Sequence, residues 1–143
     1  MPIHDCPLTR NDGDSLVAYL PITIVNPHTG KSYRTHGIID TGADECAIPA
    51  EVAKILGHKL RSGIKTEVIG LEGPATGWSH TTIILVHHPH TGEIIYTVPE
   101  TPIDYMRGLT AVLLGVNSFL SRFVVTFDYP RNTFSVIRPF AGP

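Results

Sequence analysis

Ile38-Ile39-Asp40-Thr41-Gly42-Ala43-Asp44 decides how the rest of this 143-residue chain is read. Two β-branched apolar residues lead into an acidic one. Thr41 and Gly42 then turn the backbone, and Ala43 leaves little side chain in the way. The pattern predicts a buried strand with a carboxylate at its tip. That carboxylate is either a catalyst or a turn residue that caps its own loop.

On the N-terminal side, Leu16 to Val25 is apolar or β-branched and predicts a strand. Asn26-Pro27-His28-Thr29-Gly30 reads as a turn, and Tyr33 to Ile39 as the strand that delivers Asp40. Residues 16–39 are therefore a β-hairpin with a longer loop. Residues 1–14 are polar and broken by Pro2, Pro7 and Gly13, which predicts a loose arm with a turn at Asn11-Asp12-Gly13-Asp14. On the C-terminal side, Pro49 opens a short helix that Gly57 stops, with Val52, Ile55 and Leu56 on one face. At roughly two turns it persists only by docking on a sheet. Lys65 to Ile69 and Thr81 to Val86 read as strands around the glycine-rich stretch 70–77.

His88-Pro89-His90-Thr91-Gly92 matches Asn26-Pro27-His28-Thr29-Gly30 at four of five positions. Both follow an apolar strand and precede another. Pro-x-Thr-Gly is common turn chemistry, so coincidence stands beside an internally duplicated β-template. The template reading places a counterpart of the Asp40 strand at Ala111-Val112-Leu113-Leu114-Gly115, with Gly115 where Asp40 stands in the first half. Pro99 to Gly108 reads as an inserted loop and Val116 to Arg122 as a second short helix. Phe123 to Phe127 and Phe134 to Ile137 form a closing hairpin. The expectation is an all-β closed sheet, barrel or sandwich, with one or two short helices. Its divisions are an arm at 1–14, one domain at 15–138 and a tail at 139–143.

The net charge of −2, with 42% hydrophobic and 17% charged residues, is an ordinary globular balance. Nothing marks a nucleic-acid surface, a membrane span or a signal peptide. Cys6 and Cys46 are too few for a disulfide scaffold and lack metal-ligand spacing. A cytoplasmic protein is the default expectation, with one disulfide left open. His87, His88 and His90 cluster, but neighbours on a strand point to opposite faces. Exposed turn histidines are therefore expected rather than a metal site, and no cofactor is implied. Cys46 reads as a small packed side chain and Trp78 as a packing aromatic rather than a binding platform.

Taken together, Ile38-Ile39-Asp40-Thr41-Gly42-Ala43-Asp44, Leu113-Leu114-Gly115-Val116-Asn117 and the looser Val68-Ile69-Gly70-Leu71-Glu72-Gly73 resemble the retropepsin-like aspartic proteases. The likeness covers the order of elements from Leu16 to Ile137. It implies a retropepsin-like β-fold and an aspartic endopeptidase, in which Asp40 activates a water for attack on a peptide or protein substrate. The family's plan needs two such carboxylates, and the chain has one Asp-Thr-Gly. Asp104 and Asp128 lack the turn. The resemblance therefore implies a homodimer with one Asp40 from each subunit. It gives Thr41 a hydrogen bond across the two-fold axis. Gly42 receives the substrate backbone, and Asp44 meets the substrate main chain or braces the dimer. Ile38, Ala111 and Leu113 line side-chain pockets, and Ile69, Gly70, Leu71, Glu72 and Gly73 form a mobile flap. Val116 departs from the retroviral pattern, which often has Arg there to pair with the residue matching Asp44. The flap tip is stiffer, with Pro74 beside it. A rival reading follows from those departures: a retropepsin-fold dimerisation or peptide-binding module with little or no turnover.

Overall fold

A computed structural model describes residues 2–70 and 73–139. Twelve strands, one turn of α-helix and two 3₁₀ turns make up these residues.

The first hairpin forms where the alternation demands it. β4 (Tyr19–Val25) pairs antiparallel with β5 (Ser32–Ile39) from Tyr19↔Ile38 to Val25↔Ser32. Leu20, Ile22 and Ile24 are fully buried while Tyr19, Pro21 and Thr23 face outward, the period-two signature of a sheet with one face in the core. β8 (Gly73–His87) and β9 (Ile94–Met106) form the second hairpin. β6 (Ala47–Pro49) and β10 (Val112–Leu114) are short connecting strands. Pairing runs β4–β5–β10–β6–β9–β8 and returns to β4 through Ile22↔Val86 to Val25↔Ile83, so the sheet closes on itself. Closure pairs β5 with β10 at Gly37–Ile39 and β9 with β6 at Asp104–Met106, and leaves the outer parts of β5 and β9 as open edges on that side. β7 (Ile64–Gly70) lies outside the ring, paired with the first half of β8.

The two turns that repeat in sequence also repeat in structure. Gly30 accepts the left-handed φ of +73° and Gly92 +76°, values that glycine adopts without a Cβ penalty. The Gly30 N–H donates to the Asn26 carbonyl at 2.8 Å, and the Gly92 N–H to the His88 carbonyl at 2.9 Å. The Asn26 N–H donates to Lys31, and the His88 N–H to Glu93. The halves also interlock. β5 runs parallel to β10 through Ile39↔Leu114, and β9 runs parallel to β6 through Met106↔Pro49. This crossed pattern makes β9 the counterpart of β5, and β10 the counterpart of β6. It corrects the expectation that Gly115 mirrors Asp40: the residue just past the matched strand end in the second half is Arg107.

Four further expectations are corrected. The arm is not loose, because β1 (Pro2–Pro7) pairs with β12 (Thr133–Ile137), which also pairs with β11 (Val124–Asp128). Ile3 is buried on one side of an irregularity in β1 and Cys6 and Leu8 on the other, so the register shift between Ile3 and Cys6 keeps all three in the core. β2 (Thr9–Arg10) and β3 (Leu16–Val17) flank the Asn11–Asp14 turn. Pro49 ends β6 rather than opening the helix, and α1 (Val52–Ile55) is a single turn. The stretch from Pro99 belongs to β9 up to Met106 rather than to an inserted loop. Prolines fit there because β6 pairs only with Asp104–Met106, leaving that edge open beside Pro99 and Pro102. Thr82↔Thr101 is followed by Ile84↔Val98, so β9 carries an extra residue in a bulge at Pro99–Glu100. Finally, 116–122 holds turns and a 3₁₀ segment at Leu120–Arg122 instead of an α-helix.

One core joins these parts. Leu20, Ile22 and Ile24 meet Ile48, Ile84, Val86, Tyr105, Val112 and Leu114 inside the ring. Ile3, Phe134 and Val136 bring the three-stranded sheet onto the same core, and Phe119 joins it, packed against Tyr96 and Phe123.

Candidate active site

Asp40 sits where β5 ends, half-buried, with Thr41, Gly42 and Asp44 exposed beyond it. Its N–H donates to the Leu114 carbonyl at 3.2 Å, which keeps the strand end tied to β10. Oδ1 accepts the Gly42 N–H at 2.9 Å, and the Asp40 carbonyl accepts the Ala43 N–H at 3.2 Å. This is an Asx turn. The capping role weighed against catalysis is therefore real, but it uses one carboxylate oxygen. Among the described residues, Oδ2 has no hydrogen-bond partner.

The loop after Asp40 is held by the second half of the chain. The Val116 N–H donates to Ala43 and the Asn117 N–H to Asp44, both at 2.8 Å. Asn117 Nδ2 donates to Glu45 Oε1 at 3.0 Å, and the Cys46 N–H to Ser118 Oγ at 3.0 Å. These bonds need a close approach. A Cβ on Gly115 would lie 2.3 Å from both the carbonyl carbon and oxygen of Glu45, so only glycine lets the segment pass beneath the loop. Val116 supplies no guanidinium, yet the loop is braced by main chain, Asn117 and Ser118. No ion pair engages Asp44 among the described residues.

Register places the expected pocket residues together. Ile38 pairs with Leu113, Leu113 with Ala47, and Ala47 with Asp104. Paired residues point to the same side of a sheet, so this row faces away from the buried Ile39 and Leu114. Ile38, Leu113 and Ala111 are all half-buried, and Ala111 precedes Leu113 by the two residues that keep it on that face. Asp104 was set aside in the sequence for want of a turn; here it joins the row, half-buried, through a pairing across three strands that no local motif encodes.

The flap positions are only partly described. Ile69 and Gly70 end β7 opposite Pro74 and Gly73. Leu71 and Glu72 lie outside the described residues. At the base of this hairpin Trp78 is buried, with the guanidinium of Arg107 5.2 Å and that of Arg61 5.8 Å from its ring centroid, cation–π distances. Trp78 thus packs, as expected. One step along β8, the His80 ring stacks on His58, and both meet Tyr105 edge-on at 5.5 and 5.4 Å. His80 Nε2 bonds the Leu60 carbonyl at 2.7 Å.

The other polar groups play structural parts. His87 is not an exposed turn histidine: it ends β8, buried between Thr23 Oγ1 at 2.8 Å and the Gly92 carbonyl at 2.9 Å. Among the described residues no three His, Cys, Asp or Glu side chains are grouped to hold a metal ion. Both cysteines are buried and free. Burial pushes the Cys46 thiol up, with the Ser118 hydrogen bond partly opposing it, which disfavours a reactive thiolate. No described helix is long and apolar enough to cross a membrane.

Comparison with known proteins gives the fold. No protein-family model and no curated protein matches the sequence. A retropepsin-like aspartic protease from Rickettsia conorii is similar in structure, with a TM-score of 0.58 at 19% identity over 93% of this chain and 98% of that one. The retroviral protease-like domain of Ddi1 from Leishmania major gives a TM-score of 0.51 at 17% identity, over 85% and 92%. The chain has the retropepsin-like, all-β fold.

Proposed function

We propose that the protein is a homodimeric aspartic endopeptidase. One observation carries this reading: Asp40 stands at a braced strand end beside the Ile38–Leu113 row, with Oδ2 uncommitted among the described residues. Two Asp40 carboxylates brought together across a two-fold axis cannot both ionise, so they share a proton. The ionised member takes a proton from the water between them. The protonated member polarises the scissile carbonyl, and the pair then delivers a proton to the departing amine. The pH dependence belongs to the pair rather than to either residue. In this scheme Thr41 bonds across the axis, and Gly42 and Asp44 receive substrate main chain. Ile38, Ala111 and Leu113 line side-chain pockets, and residues 69–73 close over the substrate to exclude water.

The test is Asp40→Asn. The variant keeps its fold and its sedimentation as a dimer, and loses peptide cleavage together with binding of a statine-type inhibitor. Undiminished cleavage by the variant overturns the mechanism. A wild-type dimer that binds peptides but never cleaves them supports the binding-module alternative instead.

A further inference from the structure

A second site lies on the outer face of the first hairpin. There, a groove of about 470 Å³ is bordered on one side by Cys6 and Pro7 and on the other by the His88–Gly92 turn. Its floor follows from the alternation in β4 and β5. Leu20, Ile22 and Ile24 turn inward, so Tyr19 and Pro21 turn outward beside Arg34 and His36, with Pro21 opposite His36 in register.

The polar character of this groove is one-sided. Arg34 is exposed and makes no ion pair among the described residues. His36 meets the Tyr19 ring edge-on at 6.5 Å. His88 and His90 come from the turn. No aspartate or glutamate lines the groove, although the chain has 13 acidic residues against 11 basic ones. Asp5, next to the wall, is turned to Arg131 at 3.4 Å.

The repeated turn explains why His88 stands ready for a ligand. In the first turn Asn26 Oδ1 accepts the His28 N–H at 2.9 Å, and its amide is buried. In the second, His88 Nδ1 accepts the His90 N–H at 3.1 Å. The same capping job is done by an imidazole whose Nδ1 is occupied as an acceptor. The proton of the neutral ring is therefore on Nε2, which remains a donor. The first turn shows that asparagine suffices for the fold. The histidine adds a donor the turn does not require.

We propose that this groove binds an acidic segment of a polypeptide, with Asp or Glu carboxylates on Arg34 and the imidazoles of His36, His88 and His90. A guanidinium without a partner accepts a carboxylate in two parallel hydrogen bonds. Tyr19, Pro21 and Pro89 offer apolar surface to the aliphatic parts of an extended chain, which a small inorganic anion cannot use.

The experiment uses the Asp40→Asn protein, so that no peptide is consumed. Fluorescence anisotropy measures a labelled eight-residue peptide alternating Glu with Ser and Pro, against the same peptide with Gln for every Glu. Binding of the Glu peptide alone is expected. Arg34→Gln should weaken it tenfold or more, and His88→Asn, which installs the residue used in the first turn, about threefold, with melting temperatures unchanged. Equal binding of the Glu and Gln peptides overturns the proposal, as does an Arg34→Gln variant that binds normally. Displacement of the peptide by inorganic phosphate at equal concentration also overturns it, because the site then reads a small anion rather than a chain.

Discussion

The imidazoles of His58 and His80 stack with centroids 4.5 Å apart and planes 29° from parallel. The Asn26 amide fixes the state of His58. Its Oδ1 accepts from the His28 N–H and its Nδ2 donates to the Leu56 carbonyl at 2.8 Å, so the amide cannot be reversed. Nδ2 then faces His58 Nδ1 at 3.3 Å and makes that nitrogen an acceptor. The proton is left on Nε2, which is buried without a partner among the described residues. Protonating Nδ1 would set donor against donor beside a second imidazole.

Acid should therefore loosen this corner. Burial first, then His80 and His28, lower the His58 pKa below its ordinary 6.5. A cation whose folded pKa is depressed contributes stability above the unfolded value and loses it as pH falls. The melting temperature is expected to be level above about pH 6.5 and to fall below it. His58→Phe, which keeps an aromatic ring on His80, should flatten that fall. An unchanged acid limb in the variant would assign the loss to other groups.

Tyr105 predicts an alkaline limit. Burial pushes its phenol up to about 12, with the Thr82 hydrogen bond at 2.9 Å opposing. The fold holds the phenol neutral, so its contribution is present below pH 10 and is lost between about 10 and 12. Thr82→Val removes the partner of a buried hydroxyl and should cost about 1–3 kcal/mol at neutral pH. Urea unfolding of the two proteins measures it.

Gly115→Ala should be far worse than an ordinary glycine-to-alanine change. Its Cβ meets the Glu45 main chain at 2.3 Å and the Ala43 oxygen at 2.9 Å, so the loop must move. A loss of about 1–3 kcal/mol is expected for such overpacking. Amide exchange at Ala43 to Cys46 should speed up with it, and any peptidase activity should fall more steeply than stability.

Ser118→Ala tests the brace without steric strain. It leaves the Cys46 N–H without its acceptor, for about 1–3 kcal/mol. Faster exchange at the Cys46 amide, with the rest of the sheet unchanged, is the expected signature. Ser118→Thr keeps the acceptor and should restore protection.

The residues around Asp40 were readable because the information is local. A strand end, a turn and a small residue occupy adjacent positions, and the Pro-x-Thr-Gly segments form the expected turns. What sequence reading missed depends on partners distant in the chain. Pro99 and Pro102 look like loop residues until β6 is seen to leave their edge open. Pro2 and Pro7 look like an arm until β12 pairs alongside. Gly115 looked like the counterpart of Asp40 because both follow apolar runs. Only the crossed pairing of β5 with β10 and β9 with β6 identifies Arg107 in that role. Asp104 carried no signal at all, since its place in the row with Ile38 depends on two intervening strands.

The crossed pairing also sets the order of events when the protein is made. Asp40 leaves the ribosome about 75 residues before Gly115 to Ser118, which hold its loop. Contacts so distant in sequence form late and slowly. No N-terminal fragment released early can have the Asp40 loop in its braced form. Whatever chemistry Asp40 performs is therefore withheld from the nascent chain until the segment from Gly115 to Ser118 has emerged.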